Sequence, residues 1–242
     1  MGTASSPLRG AILFSVAIFL AFPACQRTPV ETPEPAAAAP QPALPALPPA
    51  GAVRFRVNAE ESDLRVIVYR GGPLAQFGHN HVLRAGDLRG DVYLAPEFSR
   101  SAFSLEFSPA AFIVDPQDAR VDEGPDFATQ PSQQAIEGTR ANLLGPKVLN
   151  AARFPAITLR SVAFAGSAEH PVVTARVGLH GVERDLGFPV SIEPDTDRLV
   201  ANGTLLLSTP DYGIPSFTVM GGGLKVMEEV KIKFRIVAVK ER

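Results

Sequence analysis

Cysteine is almost missing from this 242-residue chain: Cys25 is the single one. Beyond residue 25, disulfide staples, thiol catalysis and cysteine-held zinc are therefore excluded. Long apolar runs are scarce too. The most apolar stretch, Ala11–Phe22, falls short of the ~20 residues that a membrane-spanning helix needs. Charge of one sign is nowhere concentrated. The formal net charge is −2, no basic block points to nucleic acid, and no acidic tail points to metal buffering. Catalytic signatures are missing as well. There is no G-x-S-x-G elbow, no P-loop, no H-E-x-x-H and no dinucleotide fingerprint. Gly221-Gly222-Gly223-Leu224-Lys225 lacks phosphate-loop spacing and precedes a strand, so it reads as a flexible turn. Carboxylates are plentiful, yet the sequence places no pair of them in one cleft. We therefore expect a protein that is not an enzyme and needs no cofactor. No tandem repeat is visible.

What is present begins at the N-terminus. Arg9, the apolar run and small Ala24 give residues 1–24 the make-up of a secretory signal. Cys25, directly after it, resembles the lipobox cysteine of bacterial lipoproteins, which becomes the acylated N-terminus. Phe22 departs from the Leu usual three residues before that cysteine, and Pro23 follows it. The other reading is ordinary cleavage near Ala24, leaving a free thiol. Gln26 stands where an Asp would hold a Gram-negative lipoprotein back from the outer membrane. The resemblance thus implies a lipid-anchored, periplasm-facing protein of the bacterial cell envelope, placed at the outer membrane. Residues 27–52 are mostly Pro, Ala, Leu, Thr and Glu. Such a segment favours extended polyproline II at ~3.1 Å per residue and builds no core. Residues 25–52 therefore form a tether, and residues 53–242 have the size of one domain.

That domain reads as antiparallel strands. Around His180-Gly181, two runs alternate with period 2. A two-residue turn there, with Gly at positive φ, sets Leu179 against Val182, Ala175 against Leu186 and Val173 against Phe188. Both apolar rows then share one side, which a one-residue slip would undo. Arg184, opposite Val177, alone breaks the inward row. Leu64, Val66 and Val68 alternate with Arg65, Ile67 and Tyr69, and Val230, Ile232, Phe234 and Ile236 alternate with Lys231, Lys233 and Arg235. Residues 115–129 are acidic, carry Pro and Gly, and read as loop. Ser132–Leu144 reads as one helix, weakened by Gly138. The fold class is all-β: eight antiparallel strands, a number that closes into a small barrel, with one inserted helix.

Three further stretches carry a resemblance. Leu149-Asn150-Ala151-Ala152-Arg153-Phe154-Pro155-Ala156-Ile157, Gly178-Leu179-His180-Gly181-Val182 and Asp211-Tyr212-Gly213-Ile214 are similar, in order and spacing, to motifs of the YceI-like, polyisoprenoid-binding, lipocalin-like family. Glu183 departs from the family's usual Thr, and many members lack the pair His79 and His81. The resemblance spans Val53–Val239 and implies a lipocalin-like barrel with a long apolar interior. The implied ligand is a lipid-like small molecule, such as a polyprenyl chain or a quinone, and a homodimer is left open. On the residues alone, Phe55, Phe103, Phe107, Phe154, Phe188 and Phe234 fall on or beside the apolar faces. They either line a hollow barrel or fill a dry one.

The candidate ligand-binding residues are Phe77, His79, His81, Phe103, Phe107, Phe154, Phe188 and Phe234. In an extended chain, Phe77, His79, His81 and Leu83 share a face. The two imidazoles have three readings. They contact a polar head group, they supply two ligands to a metal, or they hydrogen-bond a neighbouring loop. A firm metal site needs three or four ligands. The alternative to lipid binding is a metal-binding or redox-partner protein of the envelope that uses this pair.

Overall fold

The computed structural model describes residues 43–241; the expected secretory signal and Cys25 lie outside them. The strands are β1 (Val53–Val57), β2 (Asp63–Val68), β3 (Arg70–Gly71), β4 (His81–Arg84), β5 (Arg89–Leu94), β6 (Ala102–Phe107) and β7 (Ile113–Val114). Two helices follow, α1 (Gln117–Asp122) and α2 (Gln133–Leu144). The chain then forms β8 (Ile157–Gly166), β9 (Pro171–Leu179), β10 (Val182–Pro194), β11 (Arg198–Ser208), β12 (Thr218–Val219), β13 (Leu224–Val226) and β14 (Glu229–Lys240).

Every barrel pairing is antiparallel, and the ring closes in the order β1-β5-β6-β8-β9-β10-β11-β14 and back to β1. The short strands extend this ring rather than add to it. Val53 pairs with Leu94 and Val68 with His81, so β1 and β2 form one interrupted strand against β5 and β4. β6 and β7 continue each other in the same way, beside β5 and β4. Both β1 and β2 pair with the long β14. The barrel therefore has eight strands, as the alternation predicts.

The central hairpin has the expected register: Leu179 opposite Val182, Ala175 opposite Leu186, Val173 opposite Phe188 and Arg184 opposite Val177. His180 (φ 53°) and Gly181 (φ 79°) both take positive φ, as a two-residue primed turn requires. Arg184 escapes the interior at the barrel rim, where its Nε donates to the Asp211 carbonyl at 3.3 Å. Helix α2 begins where the sequence places it, with Ser132 as N-cap accepting from the Ala135 amide.

The segment 115–129 corrects the expectation of a loop. It holds α1 and a 3-10 turn at Pro125–Phe127, which cover the outer face of the barrel. Ala119 and Phe127 pack on Ile67 and Val82, so these outward-facing apolar residues of β2 and β4 are buried. The acidic residues of the segment meet cations of the wall. Asp122 pairs with Arg65 (2.9 Å), Asp118 with Arg84 (2.6 Å) and Glu123 with Lys233 (2.5 Å).

The interior is divided along its axis. Around Val173, Ala175, Phe188, Val190 and Leu205, Phe103, Phe164 and Phe234 fill the middle of the barrel, and Phe55, Leu199 and Ala238 fill the end where β1 begins. Phe188 meets Phe234 edge-on at 5.9 Å. Phe234 lies across Gly203, its partner on β11, where a Cβ would collide with the ring. All the long excursions (residues 69–80, 115–156 and 209–228) gather at the other end. Among the described residues, no helix is long and apolar enough to cross a membrane.

Candidate functional site

At the end that gathers the excursions, the barrel is hollow. A cavity of ≈ 400 Å³ opens there. Alternation supplies its wall: Leu64, Val66 and Val68 of β2 face inward, as do Leu159 of β8 and Val177 and Leu179 of β9. Leu143 of α2 and Leu149 after it cover part of the top. The remaining cover is a small sheet in the order β12-β13-β3. Its two loops approach closely because both carry glycine. A Cβ on Gly72 (φ 90°) would lie 2.6 Å from the Gly223 carbonyl oxygen, and the Leu74 amide donates to that same oxygen at 2.8 Å. The exposed residues Phe77, Val219 and Met227 also line the cavity and mark its mouth.

The structure separates the candidate residues into two groups. Phe77, His79, His81 and Phe107 lie on the cavity wall. Phe77 does so from a 3-10 turn, Ala75–Phe77, since β4 begins only at His81. It is 65% exposed. Phe103, Phe188 and Phe234 are not on that wall, because they point inward below it, in the filled middle of the barrel. Phe154 is not on it either. Its ring lies tilted against His180 (centroids 4.6 Å apart) and covers Gly181, where a Cβ would meet it at 2.6 Å.

The histidines have different surroundings. His81 donates from Nδ1 to Asp115 Oδ2 at 2.7 Å. Asp115 Oδ1 accepts from the Val82 amide (2.9 Å) and from Arg120 Nη1 (2.6 Å). Arg120 Nη1 also donates to the Asn80 carbonyl, and Nη2 to the Thr129 carbonyl. Burial opposes the charge on Asp115. The hydrogen bond and charge of His81, the Val82 amide and Arg120 outweigh it and hold the carboxyl below its usual value. His81 is thus tied to a neighbouring loop. His79 lies 6.4 Å from His81, ring to ring. Its pKa is lowered by burial first, then by the charges of His81, Arg120 and Arg70, against the opposing pull of Asp115. Among the described residues, no three His, Cys, Asp or Glu side chains are grouped to hold a metal. Asp115 and Arg120 could not be picked out by periodicity, since they sit in a segment without a regular apolar pattern.

The three sequence motifs converge at this same end. Phe154 packs on His180, and His180 Nδ1 donates to the Tyr212 carbonyl at 3.2 Å. Gly213 (φ 70°) caps the 3-10 turn Thr209–Tyr212 and turns buried Ile214 into the core. A model described as the YceI-like domain matches residues 75–238, more than half of the chain.

The chain belongs to the YceI-like family.

Among solved structures, this YceI-like domain resembles BcnA of Burkholderia cenocepacia. The TM-score is 0.56 at 16% identity, covering 76% of this chain and 99% of that one. It also resembles a polyisoprenoid-binding domain from Saccharophagus degradans, with a TM-score of 0.51 at 13% identity over 78% and 99% of the two chains. At such identities these likenesses concern the fold. No curated protein matches the sequence. The YceI-like match begins at residue 75, after β1 and β2.

Tyr212 of the YceI-like Asp211–Ile214 motif carries a testable anomaly. Its hydroxyl is buried without a hydrogen-bond partner among the described residues, and burial pushes its pKa up to about 12. An unpaired buried hydroxyl costs roughly 1 kcal/mol or more. Tyr212→Phe should therefore be neutral to stabilising, by up to about 1 kcal/mol, in urea denaturation. A clear loss of stability would mean that the hydroxyl has a partner in solution.

Proposed function

We propose that this domain binds or carries an isoprenoid or another lipid-like molecule, such as a polyprenyl chain or quinone, in the hollow end of the barrel. The observation that carries the reading is the ≈ 400 Å³ apolar cavity in a barrel of the YceI-like family. That volume falls within the ~300–1,000 Å³ usual for small-molecule sites. Burial contributes ~0.8 kcal/mol per methylene-sized group, so a tail can bind tightly here without a strong polar contact. The Saccharophagus degradans relative, named a polyisoprenoid-binding domain, supports the same class of ligand. On this reading the protein is a binding module rather than an enzyme.

The test is native mass spectrometry of the full-length protein purified from bacterial membranes. A co-purified isoprenoid or quinone is expected. Leu159→Trp, which narrows the cavity, should weaken rebinding of that molecule at least tenfold. If no apolar ligand is retained and none can be loaded, the reading fails.

We further propose that Cys25 is acylated and that the protein faces the periplasm from the outer membrane. The support is the residue order Ala11–Phe22, Ala24, Cys25 and Gln26. The membrane-fraction protein should have lost Met1–Ala24 and gained acyl mass. A Cys25→Ser protein that still partitions fully with membranes would overturn the anchor.

A further inference from the structure

A second, polar pocket of ≈ 150 Å³ adjoins the apolar cavity, and the two share Arg70, Gly78 and His79. Gln76, Asn80, Arg120 and Asp126 also line it. The Asn80 side chain is spent, since its Oδ1 accepts from the Arg70 amide and its Nδ2 donates to the Asp126 carbonyl. Arg120 is 2% exposed, and its Nη atoms are committed to Asp115 and to two backbone carbonyls. Its Nε is buried with no hydrogen-bond partner among the described residues. Leaving a guanidinium N–H unpaired in the interior is costly. Arg70 donates to the Gly78 carbonyl and makes no carboxylate pair among the described residues. His79, between the two pockets, has cationic neighbours whose combined effect lowers its pKa after burial has done so. The one carboxylate residue lining the pocket is Asp126; Asp115 is already paired with Arg120 and His81.

We propose that this pocket takes the phosphate of a prenyl phosphate whose tail lies in the apolar cavity, with Arg70 and His79 as donors. The proposal rests on the reading that the cavity holds an apolar chain, and it adds the head group. The geometry is that of an amphiphile: an apolar wall, then a donor-lined recess reached past one shared histidine. Phosphate offers several acceptor oxygens and a negative charge, which matches guanidinium donors better than a neutral alcohol does. Arg120 also holds the loop to the barrel, so it is a poor test position. Arg70 and His79 are the positions to change.

The experiment compares geranylgeranyl phosphate, geranylgeraniol and inorganic phosphate by calorimetry on the intact protein. Wild type should bind the prenyl phosphate at least tenfold more tightly than the alcohol, and inorganic phosphate more weakly than either. Arg70→Gln and His79→Ala should each shrink the phosphate-to-alcohol ratio severalfold, whatever their effect on binding of the alcohol itself. If the alcohol and the phosphate bind equally in wild type, the head-group assignment is wrong while the cavity reading stands. If neither prenyl compound binds, the cavity reading itself is wrong. If inorganic phosphate binds as tightly as the prenyl phosphate, the recess is a free-anion site and the amphiphile is overturned. A phosphate preference that survives both substitutions removes these residues from the site.

Discussion

Phe188→Asp is expected to cost at least ~4 kcal/mol and to leave little folded protein at 37 °C. The ring is 5% exposed, opposite Val173 on β9 and edge-on to Phe234. Truncating a buried Phe alone costs about 3–5 kcal/mol, and an unpaired carboxylate adds the desolvation of a charge. Glu183→Gln, an exposed position on the opposite face of the same strand, should stay within about 0.5 kcal/mol. Phe188→Leu separates stability from binding. It should lower the melting temperature yet leave ligand affinity unchanged, since Phe188 is not on the cavity wall. Thermal melts that rank Glu183→Gln below Phe188→Asp would refute the register. A loss of affinity in Phe188→Leu would refute the division of the interior.

Asp115→Asn should be nearly as damaging. Its side chain is fully buried, with exposure of 0% against 3% for Arg120. It serves His81, the Val82 amide and Arg120 at once. Removing the charge strands a buried guanidinium, and breaking a buried pair from one side costs about 3–5 kcal/mol. For a domain of this size that is a fall in melting temperature of roughly 10 °C. The effect has a pH signature. The folded-state pKa of Asp115 lies below its ordinary value of 3.8. Its stabilisation is therefore complete above that value and is lost as the pH falls through the lower, folded-state value. Denaturation of wild type should show this acid loss, and Asp115→Asn should have suffered it already at pH 7. Two curves falling in parallel between pH 5 and pH 2 would refute the role given to the carboxylate. Asp118 and Asp185 are also held low, each chiefly by an arginine, but both are far more exposed and contribute less.

The sequence carried the strands well because burial on one side writes a period of 2. The hairpin of β9 and β10 could be registered residue by residue, and Phe188 could be assigned inward. Height along the barrel axis was not readable. Phe107 and Phe188 both point inward with the same alternation, yet Phe107 reaches the cavity and Phe188 packs the filled middle. Which of the two occurs depends on neighbours several strands away. Helix α1 was hidden for a related reason. It is short, its wholly buried apolar residue is Ala119, and its acids, with Glu123 just after it, are there to meet Arg65, Arg84 and Lys233 on distant strands. Ile67 and Val82 held a clue in their place on the outward rows, since apolar residues there need a cover. The glycines at 71–72 and 221–223 read as breaks. In the fold they let two loops approach within hydrogen-bond distance over the mouth.

Ring closure has a consequence for how the domain is made. The last strand, β14, is partner to β11, to β1 and to β2. Until residues 229–240 have left the ribosome, three strands made earlier lack their neighbour, and the nascent sheet keeps open edges able to pair with other chains. Closure joins the beginning of the domain to its last strand, a long-range contact of the kind that forms slowly. Loss of residues 229–240 would therefore remove the keystone of the barrel rather than fray one edge, leaving β1, β2 and β11 with unpaired edges.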